Sequence, residues 1–223
     1  MPGTPDGADK PDQDSLEDNK ADDAFIPNEK QQFSDETYDK SDNIVVYVDY
    51  GRFLPENISI SKVLITIVDV NNVVIVENEH AIWDHKISTV QHPFFGLRFE
   101  IEVKNNPKLN PTTLIIFRID SLDRISLIQK IVGYAFFPLF VDKINGEQIK
   151  DTNFTNYALN SGMYQLQLYH QNPIMTKPIT YAKFTKLEHI PCASLLIRVE
   201  KAARGENGNK IRKKDPASGK FEL

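Results

Sequence analysis

Short runs of apolar residues with a period of two dominate the chain between residues 43 and 200. The runs are rich in Val, Ile, Phe and Tyr, and Asn, Pro, Asp or Gly separates one run from the next. This alternation is typical of half-buried β-strands, because successive side chains of a strand point to opposite faces. Eight strands are predicted, at residues 43–50, 62–69, 73–76 with 86–90, 97–103, 112–120, 130–139, 163–169 and 194–199.

No full-length helical segment separates these runs, as an alternating α/β fold would require. The sequence therefore predicts an all-β fold, an eight-stranded antiparallel two-sheet sandwich. Asn71-Asn72, between two apolar runs, predicts a tight hairpin. A short helix is expected within residues 143–159. Gly133 lies inside an apolar run, which indicates a bulge or a close backbone approach.

Charge divides the chain into three parts. Residues 1–42 carry 13 acidic residues and 4 lysines, a net charge of −9, and residues 201–223 carry 7 basic and 3 acidic residues, a net charge of +4. The middle holds 15 charges of each sign. The acidic head has too few aliphatic residues to offset chain entropy by burial. We therefore expect a disordered acidic segment (1–40), a folded domain (41–202) and a basic flexible tail (203–223).

Cysteine content and hydropathy indicate an intracellular, cytoplasmic protein. Cys192 is the only cysteine, which excludes an internal disulfide and a cysteine metal cage. The chain opens without the pattern of a signal peptide, and no run approaches the roughly 18 apolar residues of a membrane span.

Three segments in order resemble elements of C2 domains. YVDYGRFLPENISISKVLITIVD is similar to the first strand, Leu-Pro loop and second strand of that family. VQHPFFGLRFEIEV resembles the family's Asn-Pro-x-Trp segment, with His92 and Phe95 in place of Asn and Trp. LIIFRIDSLDRISLIQKIVGYAFFPL resembles a strand ending in aspartates, a loop and an Ile-Gly strand. The resemblance covers residues 43–200 and implies type II topology.

The resemblance makes Asp120 and Asp123 candidates for calcium ligands. Calcium takes six to eight oxygen ligands, and calcium-binding C2 domains supply several aspartates from two loops. Here the first loop offers only Glu56, and Lys130 stands where a further carboxylate would be. Ion pairing with Arg124 or Lys130, or capping of the loop backbone, would satisfy the two aspartates better. A structural role is favoured, and a calcium site is the alternative.

The sequence carries no motif that indicates an enzyme. A Gly-rich phosphate loop, a nucleophile elbow and paired catalytic carboxylates are all missing. Glu79, His80, Asp84 and His85 could in principle ligate zinc or copper, but a solvated loop with Trp83 against the sandwich edge is the favoured interpretation. We expect a non-catalytic protein without a cofactor and without a nucleic-acid partner.

Two segments are candidates for partner or lipid binding. HPFFG and YAFFPLF are rich in aromatic residues, and core packing is the favoured interpretation for most of them. Alternate residues of a strand face outward, however, so some of these rings could be exposed, and Phe94 and Phe95 are the binding candidates among Phe94, Phe95, Phe136, Phe137 and Phe140. The tail contains Lys210, Arg212, Lys213 and Lys214, which could contact anionic lipid or an acidic protein surface.

The leading functional hypothesis is a C2-like scaffold that binds protein partners without calcium. IPCASLLIRV and the insertion before it resemble C2-like modules of coiled-coil proteins of cilia, which suggests a cytoskeletal or ciliary setting. The alternative is peripheral binding to anionic membranes, either with calcium or through basic residues. A regulatory module fused to an enzyme is a third class, and the oligomeric state stays open.

Overall fold

The computed structural model describes residues 43–103, 106–175 and 177–202, without the side chains of residues 77–79. The described chain consists of ten strands, one 3₁₀ turn (Pro173–Met175) and one α-helix, α1 (Tyr181–Phe184). The strands are β1 (Ile44–Arg52), β2 (Ile58–Val68), β3 (Val74–Ile82), β4 (Phe94–Ile101), β5 (Leu114–Asp123), β6 (Gln129–Pro138), β7 (Phe140–Asp142), β8 (Tyr157–Leu159), β9 (Gly162–Tyr169) and β10 (His189–Lys201).

Eight of these strands form one curled antiparallel sheet in the order β3-β2-β5-β6-β9-β10-β1-β4. A single residue pair, Tyr134 with Tyr169, joins β6 to β9. The sheet folds over at this corner, so that β3-β2-β5-β6 and β9-β10-β1-β4 form the two layers of a sandwich around a shared core. The predicted all-β antiparallel sandwich is confirmed.

The core between the layers follows the period of two. In β2, Val63, Ile65 and Ile67 are buried, whereas the intervening Lys62 and Leu64 are partly exposed. Side chains from both layers meet in one apolar cluster, which burial from water stabilises.

The helix expected within residues 143–159 does not form. This segment instead follows β7 and ends in β8, and the two strands pair with each other in a two-stranded sheet. The reason is local side-chain bonding. Asp142, Asn145 and Asp151 each accept a hydrogen bond from the backbone N–H two residues later, at 2.8–2.9 Å. Such turns compete with helical hydrogen bonds, and three of them divide this segment.

The prediction of a strand at residues 86–90 is also wrong. β3 is one continuous strand that ends at Ile82, and the following residues turn. Asp84 causes the turn, because its Oδ1 accepts the Lys86 N–H at 2.9 Å while its own N–H donates to the Phe94 carbonyl at 2.8 Å. The other predicted strands are present, with ends that differ by a few residues.

The hairpin predicted at Asn71-Asn72 joins β2 to β3. Asn72 has a φ of 66°, a conformation that Asn tolerates better than most residues. The Asp69 carboxylate accepts the N–H groups of Asn71 at 2.9 Å and Val73 at 2.7 Å, which fixes the turn.

A second apolar cluster lies on the outer face of β5 and β6, under a segment that we call the strap (residues 173–187). The Phe184 ring lies 5.2 Å from the Phe136 ring and 4.1 Å from the Tyr169 ring. Gln148 holds the strap in place, since its side chain donates to the Ile179 carbonyl at 3.0 Å and accepts the Tyr181 N–H at 2.6 Å. The strap explains why outward-facing aromatic residues of β6 are buried.

Candidate interaction site at the loop end

Three loops meet at one end of the sandwich, which we call the loop end: residues 53–57, 83–93 and 124–128. The Arg124 N–H donates to the Asn57 carbonyl at 2.8 Å, which joins the third loop to the first. The Leu54 N–H donates to the Gln91 carbonyl at 3.0 Å, which joins the first loop to the second. Both calcium candidates lie beside this end.

Asp123 caps the third loop. Its Oδ1 accepts the N–H of Ile125 at 3.1 Å and both the N–H and the hydroxyl of Ser126 at 2.8 and 2.9 Å. Its Oδ2 lies 2.7 Å from the Lys130 Nζ. The Lys130 ammonium and the Ser126 donors hold the pKa of the Asp123 carboxyl well below its usual range.

Asp120 pairs with neighbours on the outer face of its layer. The Arg118 Nε lies 2.9 Å from Oδ1, and the Arg118 guanidinium also donates to Oδ2 at 3.0 Å. The Gln129 amide donates to the same Oδ2 at 2.8 Å. The cation beside Asp120 is thus Arg118, rather than Arg124 or Lys130, because Asp120 and Arg118 are two residues apart on one face of β5.

The histidine-rich segment before β4 is arranged as a turn. His85 is exposed, Asp84 binds the backbone of its own turn, and Trp83 is half-buried against the core. The side chain of Glu79 lies outside the described part of the chain. Within residues 43–103, 106–175 and 177–202 no group of three or more His, Cys, Asp or Glu residues is placed to hold a metal ion.

The aromatic pair in HPFFG is divided by the pleat of β4. Phe95 is only 5% exposed and belongs to the core between the layers, which corrects the expectation that its side chain is available to a partner. Phe94 is half-buried, and its ring lies 4.8 Å from the Tyr50 ring. The basic tail candidates Lys210, Arg212, Lys213 and Lys214 lie outside the described residues.

Cys192 is exposed, and it lies in an irregularity of β10 with a φ of 61°.

Sequence reasoning missed the exposed apolar side chains of the loop end. Ile125, Leu127 and Ile128 are 88%, 70% and 62% exposed. The available signal was ISLI (residues 125–128), three aliphatic residues in a segment predicted to be a loop between two strands. Among the described residues, eight of the twelve exposed large apolar side chains lie in these loops or within three residues of them: Phe53, Ile60, Ile82, Ile87, Ile125, Leu127, Ile128 and Ile131.

Phe53 has an unusual backbone conformation and contacts His92. Its φ is 51°, which is rare for a bulky residue. The Phe53 N–H donates a long hydrogen bond, 3.4 Å, to the His92 Nδ1, and the two rings meet edge to face at 4.9 Å. Burial and the nearby Arg52 charge lower the pKa of His92, so the neutral ring that accepts this bond is favoured.

The outer face of the second layer carries a compact ion network. Arg198 donates two hydrogen bonds of 2.7 Å to the Asp49 carboxylate. The Arg198 guanidinium also lies 4.2 Å from the Tyr47 ring centroid, and the Tyr47 hydroxyl donates to Glu200 at 3.1 Å. These groups satisfy one another, so this face presents a structural cluster rather than an open site.

No family model matches the chain. No curated protein matches it either. Solved structures do match. L. pealei PLC21 is 11% identical with a TM-score of 0.42, over 76% of this chain and 17% of that chain. A structure described as a C2 domain is 10% identical with a TM-score of 0.36, over 73% of this chain and 99% of that chain. With TM-scores of 0.42 and 0.36, these matches are similarities only, and the sandwich architecture rests on its own strand pairing.

The described helices are short. None of them has the length and apolar character needed to cross a membrane.

Proposed function

We propose that this protein is a non-catalytic C2-like interaction module that binds a protein partner through the loop end, without calcium. The observation that carries the proposal is the contrast between two neighbouring groups. The carboxylates of Asp120 and Asp123 are engaged by the chain's own cations, whereas Ile125, Leu127 and Ile128 beside them are exposed. The resemblance of the last strand to ciliary modules makes a cytoskeletal or ciliary assembly the proposed setting.

The bonding of Asp123 supports action without calcium. A calcium ion at this loop would have to displace the Lys130 ammonium, 2.7 Å from Oδ2, and would compete with three donors on Oδ1. Calcium takes six to eight oxygen ligands, and the first loop adds only Glu56. Calcium binding would therefore lose the hydrogen bonds of Asp123 and gain few oxygen ligands in return.

The apolar side chains of the loop end support a protein partner. Exposed apolar patches on soluble folds mark interaction sites. Complete burial of three side chains of this size contributes about 5–8 kcal/mol, whereas association costs about 4–15 kcal/mol. Ile125, Leu127 and Ile128 alone would thus give weak binding, so the partner must also cover Phe53 or Ile87, on the neighbouring loops.

Thermal unfolding in the presence of calcium tests the proposal. The melting temperature is measured up to several millimolar calcium, which covers the weak range of about 10⁻⁴ to 10⁻³ M, with magnesium as the control. We expect no calcium-specific shift. A rise of several degrees that disappears in Asp120→Asn would show a calcium site and overturn the proposal.

Peripheral membrane docking is the second candidate, and one observation favours it. The exposed cations Arg124 and Lys86 stand in the same loops as the apolar side chains, a combination that suits an anionic lipid surface. Sedimentation with phosphatidylserine vesicles, with and without calcium, separates the two candidates.

The vesicle experiment has a matched pair of variants. Leu127→Asp tests the loop end, and Ile144→Asp is the control, since Ile144 is 84% exposed in the loop after β7. Calcium-free sedimentation that is lost only in Leu127→Asp would favour the membrane. Absence of sedimentation would favour the protein partner.

A further inference from the structure

We propose that the loop end binds the chain's own acidic segment, residues 22–36, in an intramolecular contact that an external partner must displace. The inference rests on the proposed function only in that both use the loop end. The bound group is here a segment of the same chain, whereas the proposed function concerns an external protein.

Each of the three joined loops carries an exposed apolar side chain. Phe53, Ile87 and Leu127 each come from a different loop, and backbone hydrogen bonds of 2.8 and 3.0 Å hold the loops together. Within the described part of the chain these side chains are more than half exposed, so nothing there covers them. An apolar surface of this kind is stabilised by any occupant that removes it from water.

Two other faces of the described sandwich are already filled. The strap covers the outer face of β5 and β6 with Ile179 and Phe184. The outer face of β1 and β10 carries the Asp49–Arg198 pair and the ring of Tyr47. Eight of the twelve exposed large apolar side chains among the described residues lie in or beside the three loops, so the loop end is the surface best suited to an apolar occupant.

Residues 22–36, DDAFIPNEKQQFSDE, have a complementary chemistry. The segment carries five acidic residues and one lysine, a net charge of −4, around the apolar residues Phe25, Ile26 and Phe33. At the loop end, Lys130 and Asp123 neutralise each other. The remaining exposed or half-exposed charges, three cations (Arg52, Lys86, Arg124) minus two carboxylates (Glu56, Asp84), leave +1. Apolar burial is thus the main attraction, and charge adds to it.

The chain can reach this surface. The acidic head enters the fold at Ile44, which pairs with Lys201 at the end of the sandwich opposite the loops. β1 has nine residues and spans about 30 Å. Phe33 lies ten residues before Asn43 and Phe25 lies eighteen before it. At about 3.3–3.6 Å per residue these positions reach at most about 36 and 65 Å, so both can return to the loop end.

Tethering gives this contact an advantage over free partners. A weak intramolecular contact competes at the effective concentration set by its linker, which is in the millimolar range for short linkers. An external partner that binds the same loops would therefore have a lower apparent affinity for the full chain.

The single cysteine provides the test. Cys192 is exposed and lies two residues before Ser194, which pairs with Arg52 beside the loop end. A nitroxide label on Cys192 in the full chain should broaden the backbone NMR signals of residues 22–36 by paramagnetic relaxation. A label moved to the opposite end, in Cys192→Ser/Ser161→Cys, should broaden them less.

Two variants assign the contact to the loop end. The broadening should be lost in Ile125→Asp/Leu127→Asp and kept in Ile144→Asp, while the signals of the sandwich show that each variant is folded. Arg124→Glu should reduce it without changing the apolar surface. Broadening that survives in Ile125→Asp/Leu127→Asp would overturn the assignment to this surface.

Two further outcomes would overturn the intramolecular contact. If residues 22–36 broaden no more than residues 2–15, the intramolecular contact is wrong. If they stay sharp while phosphatidylserine vesicles broaden the methyl signals of Leu127 and Ile128, the surface serves a membrane. That result overturns this inference and supports the second candidate function, whereas the calcium titration tests the proposed function independently.

Discussion

The side chain of Ile190 lies directly over Gly133. A methyl group added to Gly133 would lie 2.6 Å from the Ile190 Cδ1 and 3.0 Å from the Tyr169 carbonyl oxygen. Gly133 also stands where the pairing of β5 with β6 slips, since Ile119 pairs with Gly133 but Asp120 pairs with Ile131. Both features that the sequence indicated for this glycine, a bulge and a close approach, are present. They lie next to the corner that joins the two layers.

Replacement of this glycine should destabilise the fold. Gly133→Val forces its branched side chain against a backbone carbonyl that cannot rotate away, and we expect a loss of about 1–3 kcal/mol in the free energy of unfolding. Denaturant unfolding measures it. Because Ile190→Val removes the Cδ1 atom, Gly133→Ala/Ile190→Val should lose less than the sum of its single changes. A Gly133→Val protein that melts with the wild type would contradict the packing argument.

The Asp49–Arg198 pair should contribute more than any ion pair at the surface. The Asp49 side chain is almost fully buried and accepts two hydrogen bonds of 2.7 Å. Asp49→Ala leaves the partly buried Arg198 without its carboxylate, and we expect a loss of about 2–3 kcal/mol. Glu100→Gln is the control, because Arg98 and Glu100 are 3.8 Å apart and partly exposed, and because the new amide keeps an oxygen that can accept the Asn43 hydrogen bond, 2.6 Å long in the wild type. It should cost less than about 0.5 kcal/mol. An equal loss in the free energy of unfolding in Asp49→Ala and Glu100→Gln would contradict this prediction.

Asp123 should make stability depend on pH in the acidic range. Its folded-state pKa lies below the ordinary value of 3.8, so its contribution is complete above that pH and is lost as the pH falls from 3.8 toward the folded-state pKa. The difference in melting temperature between wild type and Asp123→Asn should therefore be largest near neutral pH and shrink below pH 3.8. Lys130→Met removes the largest cause of the shift and should raise the pKa of Asp123, as measured by carboxyl NMR titration. If this difference in melting temperature grew toward low pH, the prediction would be wrong.

The strap should be an integral part of the fold. Phe184 is fully buried between Phe136 and Tyr169, and we expect Phe184→Ala to cost about 3–4 kcal/mol. Met175, in the same strap, is exposed, and Met175→Ala should change stability by less than about 0.5 kcal/mol. Protease cleavage within residues 173–187 should become faster in Phe184→Ala alone. Equal cleavage of both variants would mean that the strap is held by other contacts.

The period of two was sufficient to predict the eight strands of the main sheet and the fold class, because burial of alternate side chains is a local property of a β-strand. The two three-residue strands, β7 and β8, are too short to show the period and were not predicted. The pattern also failed where short polar side chains compete with the backbone. Asp142, Asn145 and Asp151 replaced a predicted helix with turns, and Asp84 ended a predicted strand. Those bonds depend on rotamers that the sequence does not specify.

The sequence by itself determined the sandwich, the hairpin at Asn71-Asn72 and the candidates Asp120 and Asp123. Only the tertiary structure decided what surrounds them. The order of the strands brings Arg118 and Gln129 to Asp120, lays the strap over Phe136, buries Phe95 in the core and leaves Leu127 exposed. The physical reason is that alternation tells which residues share a face, whereas exposure and charge pairing depend on the strand or segment that covers that face.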